Sequence, residues 1–338
     1  MPFQLNPSKL PIWQTESTLK LGLADQSQLL DSVSTAQERL IHLLFQGVAE
    51  DHLDLVGESV GLEPDETRKL IDRLRPSLLE KPTVTGKTSS FDVRFAEIIR
   101  IGFENNQATE DVLASRANSL IMLPSLDRTG LMMTKTLAEV GFRRLVTGDY
   151  GMVTRTDLGE LGYPAADLGI TRLSAARNLL QNTSSQTSIN HLPEKAKTKP
   201  DLVVVSGMHR INPSVYRSEV LPHVAIEYAL DELRVSGVIR PGDTACLACR
   251  ELWESENNAS WTATSIQLSS RNDHLDDGIG LLMATSIATK TICESLNSKE
   301  RSGQPGFRVN LKTRAVTELS WQPHPSCDCR SRSFEPNQ

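Results

Sequence analysis

The chain has 338 residues, with 36 Lys and Arg against 42 Asp and Glu and a net charge of −6, so it lacks the basic footprint of a general nucleic-acid binder. Its 38% hydrophobic and 23% charged residues are ordinary for a globular protein, and no run of about 18 apolar residues marks a membrane span. The opening MPFQLNPSKLPIW carries no basic segment followed by an apolar one, so no secretory signal is expected; a cytoplasmic setting follows, in which five cysteines serve as metal ligands or core residues rather than disulfides.

Residues 1–80 are predicted to form a small separate module. An extended segment, STLKLGLA, comes first. In STAQERLIHLLFQG, Thr35 and Glu38 stand at capping-box spacing, and Leu40, Leu43 and Leu44 share one helical face. DHLDLVGESVG reads as a second helix ending at Gly61, and EPDETRKLIDRLRP as a third between Pro64 and Pro76. One strand and three short helices suggest a winged-helix-like module. LEKPTVTGKTSS then supplies a polar linker over 81–90.

From 91 to about 210 strands and helices alternate. FDVRFAEIIRIGFE reads as a helix, and NSLIML as a short buried strand. Met133, Leu137 and Val140 line one face of the next helix, which Gly141 caps. RRLVTGD is a strand, ITRLSAARNLLQ a helix, and NTSSQTSINHLPEKAKTKP a polar loop. DLVVVSG is the continuous apolar run of a central parallel strand. Such alternation implies an α/β fold with an open, mostly parallel sheet. Beyond 220, HVAIEYALDELRVSGVI and FRVNLKTRAVTELSW read as hairpins. DGIGLLMATSIATKTICESL is a helix with Ile279, Leu282, Met283 and Ile287 on its stripe.

Two close cysteine pairs stand far apart in the chain, Cys246 with Cys249 in CLAC and Cys327 with Cys329 in CDC. Four thiolates suit a closed tetrahedral zinc site, which leaves no open position for water and is therefore structural. Such a site ties the C-terminal portion back onto the sheet, with metal affinity contributing to stability. His324 reads as a turn residue rather than a ligand, and Cys293 as a buried core thiol. Residues 331–338 are a tail.

The strand–turn–helix ending at Gly141, the acid Asp149, the strand DLVVVSG and the flanking cysteine pairs resemble the ThiF, MoeB and ubiquitin-activating-enzyme-like superfamily over residues 90–330. LDRTG, VTRTDLGELGYPAADLGITR and RPGDTACLAC…PHPSCDC resemble an actinobacterial ThiF-like branch in which a short N-terminal module precedes the domain. Some members of that branch are peptide-binding partners of cyclodehydratases. The resemblance implies a Rossmann-like ThiF-type domain over 91–330 and a homodimer. Active members of the superfamily adenylate a C-terminal carboxylate with ATP and Mg2+. That chemistry rests on positioning and charge neutralisation around the phosphates.

Matched residue by residue, the resemblance puts Gly130 on the last glycine of the family's phosphate turn and Ser125 and Asp127 on the first two. A side chain at Asp127 crowds and repels a pyrophosphate, while Arg128 compensates in part. Asp149 falls on the ribose-binding acid, and Arg172 on the lysine of the following helix. The family's asparagine and arginine fall near Asp157 and Glu160, so an anion replaces a cation. Met208, with His209 beside it, falls near the Mg2+-associated aspartate and cannot coordinate Mg2+. No free cysteine stands where an acyl group would be taken up as a thioester.

The sequence therefore favours a degenerate nucleotide site in a peptide- or partner-binding scaffold, its partner a precursor peptide or a separate enzyme. The alternative is an active ATP-dependent adenylyltransferase acting on the C-terminal carboxylate of a peptide or small ubiquitin-like protein. For the N-terminal module three readings stand: docking or dimerisation, strand addition of a peptide to STLKLGLA beside the third helix, and DNA binding. The third helix mixes Arg68, Lys69, Arg73 and Arg75 with Asp65, Glu66 and Asp72, which disfavours the last.

Overall fold

The computed structural model describes residues 2–6, 9–22, 27–79, 100–101, 109–183, 186–193, 198–212, 221–269, 271, 273–297 and 305–331. They fall into two compact units, Met1–Ala114 and Ser115–Gln338. The linker expected over 81–90 lies outside the described residues. So do the helix expected from FDVRFAEIIRIGFE, apart from Arg100 and Ile101, and the tail beyond Ser331.

The first unit holds a three-stranded antiparallel sheet, β1 (Pro11–Trp13), β2 (Leu19–Leu21) and β3 (Gln28–Leu30), in that order. Helices α1 (Thr35–Leu44), α2 (Leu53–Val60) and α3 (Pro64–Leu74) follow. The single expected strand is therefore the middle one of three. Strands of three residues are too short to show a period of two in sequence. Leu19 and Leu21 point to the same face, where they meet Leu40, Ile41, Leu44, Leu70 and Leu74 in one apolar core. The capping box of α1 uses Ser34 and Gln37 rather than Thr35 and Glu38. Ser34 keeps extended backbone and its hydroxyl accepts the Gln37 N–H, so Thr35 is already inside the helix. Gly61, at φ 92°, closes α2 in the left-handed conformation that glycine adopts without strain.

The second unit is built on a sheet of eight strands: β4 (Leu120–Leu123), β5 (Arg144–Thr147), β6 (Ser188–His191), β7 (Leu202–Met208), β8 (His223–Tyr228), β9 (Glu232–Val235), β10 (Gly306–Asn310) and β11 (Val316–Leu319). Their order is β11-β10-β9-β8-β7-β4-β5-β6. From β8 to β6 the pairings are parallel; from β8 to β11 they are antiparallel. Both expected hairpins, β8–β9 and β10–β11, are present. β6 lies inside the segment expected to be a loop. It is an edge strand that buries only Ile189, so its sequence carries little apolar signal.

Helix α4 (Thr109–Asn118) runs through residue 114, where the first unit ends, and the helices after it are α5 (Arg128–Glu139), α6 (Arg172–Thr183), α7 (Leu247–Asn257), α8 (Trp261–Ser269) and α9 (Gly278–Asn297). On β7, Leu202 and Val204 face a core with Leu137, Ala176 and Ala284, drawn from α5, α6 and α9; Val203 and Val205 face Leu247 and the cysteines. Burial on both faces is why residues 202–205 of β7 form an unbroken apolar run. The stripe expected on α9 is displaced. Leu281, Ala284, Ala288 and Ile292 are fully buried, whereas Ile279 is 71% exposed and Leu282 45%. Small residues let α9 approach α5, where the Thr136 and Thr289 hydroxyls meet at 2.9 Å; of the expected stripe, Met283 and Ile287 pack partly buried against the core while Ile279 and Leu282 turn outward. Cys293 is buried in the same core, as expected. Among the described residues no helix is long and apolar enough to cross a membrane.

Replacing the cap of α1, Ser34→Ala, is expected to destabilise the first unit by about 1 kcal/mol. The measurement is the urea midpoint of the full chain, which should fall with an unchanged slope.

Candidate functional site

The strand order reverses between β4 and β7, so the turn after β4 opens into the crevice where doubly wound sheets bind their ligands. That turn carries Ser125, Leu126 and Asp127, and its own atoms close it. A β-carbon on Gly130 would lie 2.0 Å from the Ser125 carbonyl oxygen, so only glycine fits. Asp127 is the N-cap of α5, and its carboxylate accepts the Gly130 N–H at 3.0 Å. The amide that a phosphate would seek at this helix end is thus engaged by a carboxylate of the chain itself. Leu126 is clamped from both sides: its N–H donates to Asp149 at 2.6 Å, and its carbonyl accepts from Tyr163 at 2.7 Å. Burial pushes the Tyr163 hydroxyl far above the usual tyrosine range, so it stays a donor.

Asp149 and Arg172, both singled out in the sequence, come together, and Asp157 joins them. Arg172 lies 3.4 Å from Asp149 and 2.9 Å from Asp157, with a second contact to Asp157 at 3.1 Å. The side chains of Asp149 and Asp157 are only 8% and 4% exposed. Burial opposes the Arg172 charge, and the contacts to Asp157 and then Asp149 outweigh it, raising its pKa. Asp149 also accepts the Gly151 N–H at 2.6 Å, so both its oxygens are occupied. Asp157 is a member of this site that the residue matching treated only as a lost cation. Its signal was in the sequence: Thr154 and Asp157 form a capping box.

Arg128 turns away from Arg172 to a different partner. Its Nη1 donates to the Asp276 carbonyl at 2.9 Å and lies 3.9 Å from the Asp276 carboxylate. Burial raises the Asp276 carboxyl, with Arg128 opposing. Nothing local in the sequence announces a pair 148 residues apart. Four carboxylates, Asp127, Asp149, Asp157 and Asp276, therefore face two guanidiniums. At the end of β7, the Met208 sulfur accepts the Leu275 N–H at 3.5 Å. His209 takes a left-handed backbone, φ 59°, and its Nε2 lies 2.7 Å from Asp273. Arg271, and then His209, hold the Asp273 carboxyl down to about 2.

The four cysteines of the two pairs converge, though the partners that touch across the pairs are 80 and 81 residues apart. Cys246 and Cys249 sulfurs are 3.8 Å apart, Cys246 and Cys327 3.7 Å, and Cys249 and Cys329 3.6 Å. A tetrahedron with metal–sulfur bonds of ~2.3 Å has edges of ~3.8 Å, so the donor set fits one metal ion. The separations are far from the ~2 Å of a disulfide, and all four thiols are free. Burial pushes up the Cys246 and Cys329 thiols, the latter to about 11; a cation at the centre is what would favour their thiolates. His324 is in a turn, its Nδ1 accepting the Ser326 N–H and its Nε2 3.0 Å from Glu256; it is not among the converging ligands.

No family model matches the chain, and no curated protein matches its sequence. Solved structures do. Escherichia coli MccB with succinimide aligns at a TM-score of 0.70 and 14% identity, over 98% of this chain and 99% of that one. MccB with ATP aligns at 0.69 and 13%, over 97% and 99%. The microcin C7 biosynthetic enzyme MccB in complex with N-formylated MccA aligns at 0.68 and 13%, over 98% and 100%. At such identities the likeness is one of fold, and it runs the length of both chains. The fold is the one MccB has.

Elemental analysis of the intact chain is expected to find one metal ion per molecule. Cys329→Ser should lose it and lower the melting temperature by several degrees, as should a strong chelator on the unaltered protein. Acidification should release the metal, because protons compete for the same thiolates.

Proposed function

We propose that the chain is a peptide- or partner-binding scaffold on a ThiF/MoeB-like frame, with a degenerate nucleotide site and a structural zinc ion held by Cys246, Cys249, Cys327 and Cys329. The observation that carries this reading is the turn after β4, where Asp127 occupies the helix end that a phosphate would use. Arg128 and Arg172, the residues assigned to phosphate, are paired with Asp276 and with Asp157 and Asp149. A triphosphate entering here meets carboxylates whose cations are already engaged. Each such contact at 4 Å opposes binding by about 4 kcal/mol at an effective dielectric near 20. The closed four-thiolate set leaves zinc no position for a substrate, so its part is to hold the C-terminal segment in place.

Peptide capture belongs to the first unit, read as a winged-helix-like module. β2, the strand singled out in the sequence, pairs on both sides and has no free edge. β3 has one among the described residues, and it sits against α3: Arg73 donates to the Asp31 carbonyl at 2.9 Å, and Ser77 to Gln28 at 2.6 Å. Leu29 on β3 is 55% exposed. A peptide adding along β3 would pair with this edge and cover Leu29. That MccB is solved with N-formylated MccA is in keeping with a chain-like ligand. The homodimer implied by the resemblance is part of the same proposal and is read by light scattering.

The second reading, an active adenylyltransferase, is favoured by MccB being solved with ATP. It is favoured too by Asp273, which supplies at the end of β7 an acid that Met208 lacks. One experiment separates the two. A labelled precursor peptide encoded beside the gene is titrated with the full chain, with and without Mg-ATP, and ATP–pyrophosphate exchange is followed in parallel. The scaffold reading expects binding that ignores ATP, a loss of about tenfold in affinity in Leu29→Asp, and exchange at background. Peptide-dependent exchange would establish the enzyme instead, and absence of peptide binding would remove the scaffold.

A further inference from the structure

Across β8, β9 and β10 runs a row of charges fixed by register: Glu227 faces Arg234, and Arg234 faces Arg308. Arg250, from α7, takes both oxygens of buried Glu227 at 2.6 and 2.7 Å and neutralises it. Arg234 and Arg308 remain as like charges directly opposite each other, an arrangement that strands avoid. One carboxylate, Glu232, touches Arg234 and lies 3.4 Å from Arg308. Among the described residues no other carboxylate pairs directly with either guanidinium. The Nε–H of Arg234 is also buried with no hydrogen-bond partner among the described residues, and such donors call for an explanation.

Both arginines line a cavity of about 360 Å³, within the range of small-molecule sites. Trp253 and Trp321 form other parts of its wall, with Asn257 and Glu254. The indole N–H groups are engaged elsewhere, Trp321 with the Cys246 carbonyl and Trp253 with the Gln322 carbonyl, each at 2.8 Å. What the tryptophans offer a ligand is ring surface, apart from the face of Trp321 that the Arg250 guanidinium covers at 5.6 Å and the part of Trp253 that His324 packs against. None of these residues belongs to the turn after β4 or to the cluster around Arg172.

We propose that this cavity binds a small monocarboxylate carried on a flat apolar body. A guanidinium fork matches a carboxylate in shape and charge. The facing guanidiniums suit one negative charge, while the nearby carboxylates Glu232 and Glu254 oppose a dianion such as phosphate. The indoles supply stacking surface for the body. The carboxylate has two sources, a free aromatic acid or the terminus of a peptide ending in an aromatic residue. The inference does not depend on the scaffold reading, since its residues lie in the second unit and take no part in strand addition.

The test is calorimetry on the full, metal-replete chain with four probes: N-acetylphenylalanine, its amide, phenyl phosphate, and an N-acetylated pentapeptide ending in phenylalanine. The acid is expected to bind, and the amide and the phosphate to bind about tenfold more weakly or not at all. Arg308→Met should lose about tenfold in affinity for the acid while keeping the melting temperature, because Arg308 is half exposed and its removal relieves a like-charge pair. Pentapeptide binding as tight as that of the acid identifies a chain terminus as the ligand; exclusion of the pentapeptide identifies a free acid. Equal binding of acid and amide, tighter binding of the phosphate, an unaffected Arg308→Met variant, or no heat from the acid up to its solubility limit would each overturn the proposal.

Discussion

The turn between β4 and α5 sets the character of the second unit. Gly130 sits so close to the Ser125 carbonyl that no side chain fits, which is the geometry of a backbone built to approach something closely. What it approaches is its own chain. Asp127 caps the helix, Asp149 accepts from Leu126, and Tyr163 donates to the Leu126 carbonyl. The frame that in related folds presents free amides to a ligand is here completed by carboxylates and a phenol. A completed polar network is stable and rigid, whereas the same groups left open would carry the cost of unpaired buried donors.

Charge follows the same logic on both faces of the sheet. Arg172 lies between Asp149 and Asp157, and Arg250 is locked to Glu227. Burial works to raise the Glu227 carboxyl, and Arg250 together with the Ile211 amide overrides it, holding the group below the usual carboxylate range. Each pair repays its own desolvation only because extra hydrogen bonds complete it. The cysteine cluster does with sulfur what these pairs do with charge. It brings together cysteines 80 and 81 residues apart, and Trp321 ties the end of the sheet to Cys246.

Much of the frame could be read residue by residue. The first four residues of β7 are apolar because both faces of the strand are covered, Gly141 marks the end of α5 with φ 107°, and both hairpins stand where they were expected. Other elements hid for stated reasons. β6 is an edge strand with one buried residue, and β1 and β3 are three residues long. On α9 the buried seam runs through Ala284 and Ala288, which a stripe weighted by hydrophobic bulk passes over.

By itself, then, the sequence determined the alternating frame, the two close cysteine pairs, and the non-glycine residues Ser125 and Asp127 in the turn after β4, since each is written in local spacing or residue type. Only the tertiary structure decided what the charges do. The contact of Arg128 with Asp276, the contact of His209 with Asp273, and the face-to-face arginines Arg234 and Arg308 depend on register and chain crossing. Electrostatic partners are set by distances of a few ångströms between residues far apart along the chain, and no local pattern encodes those distances.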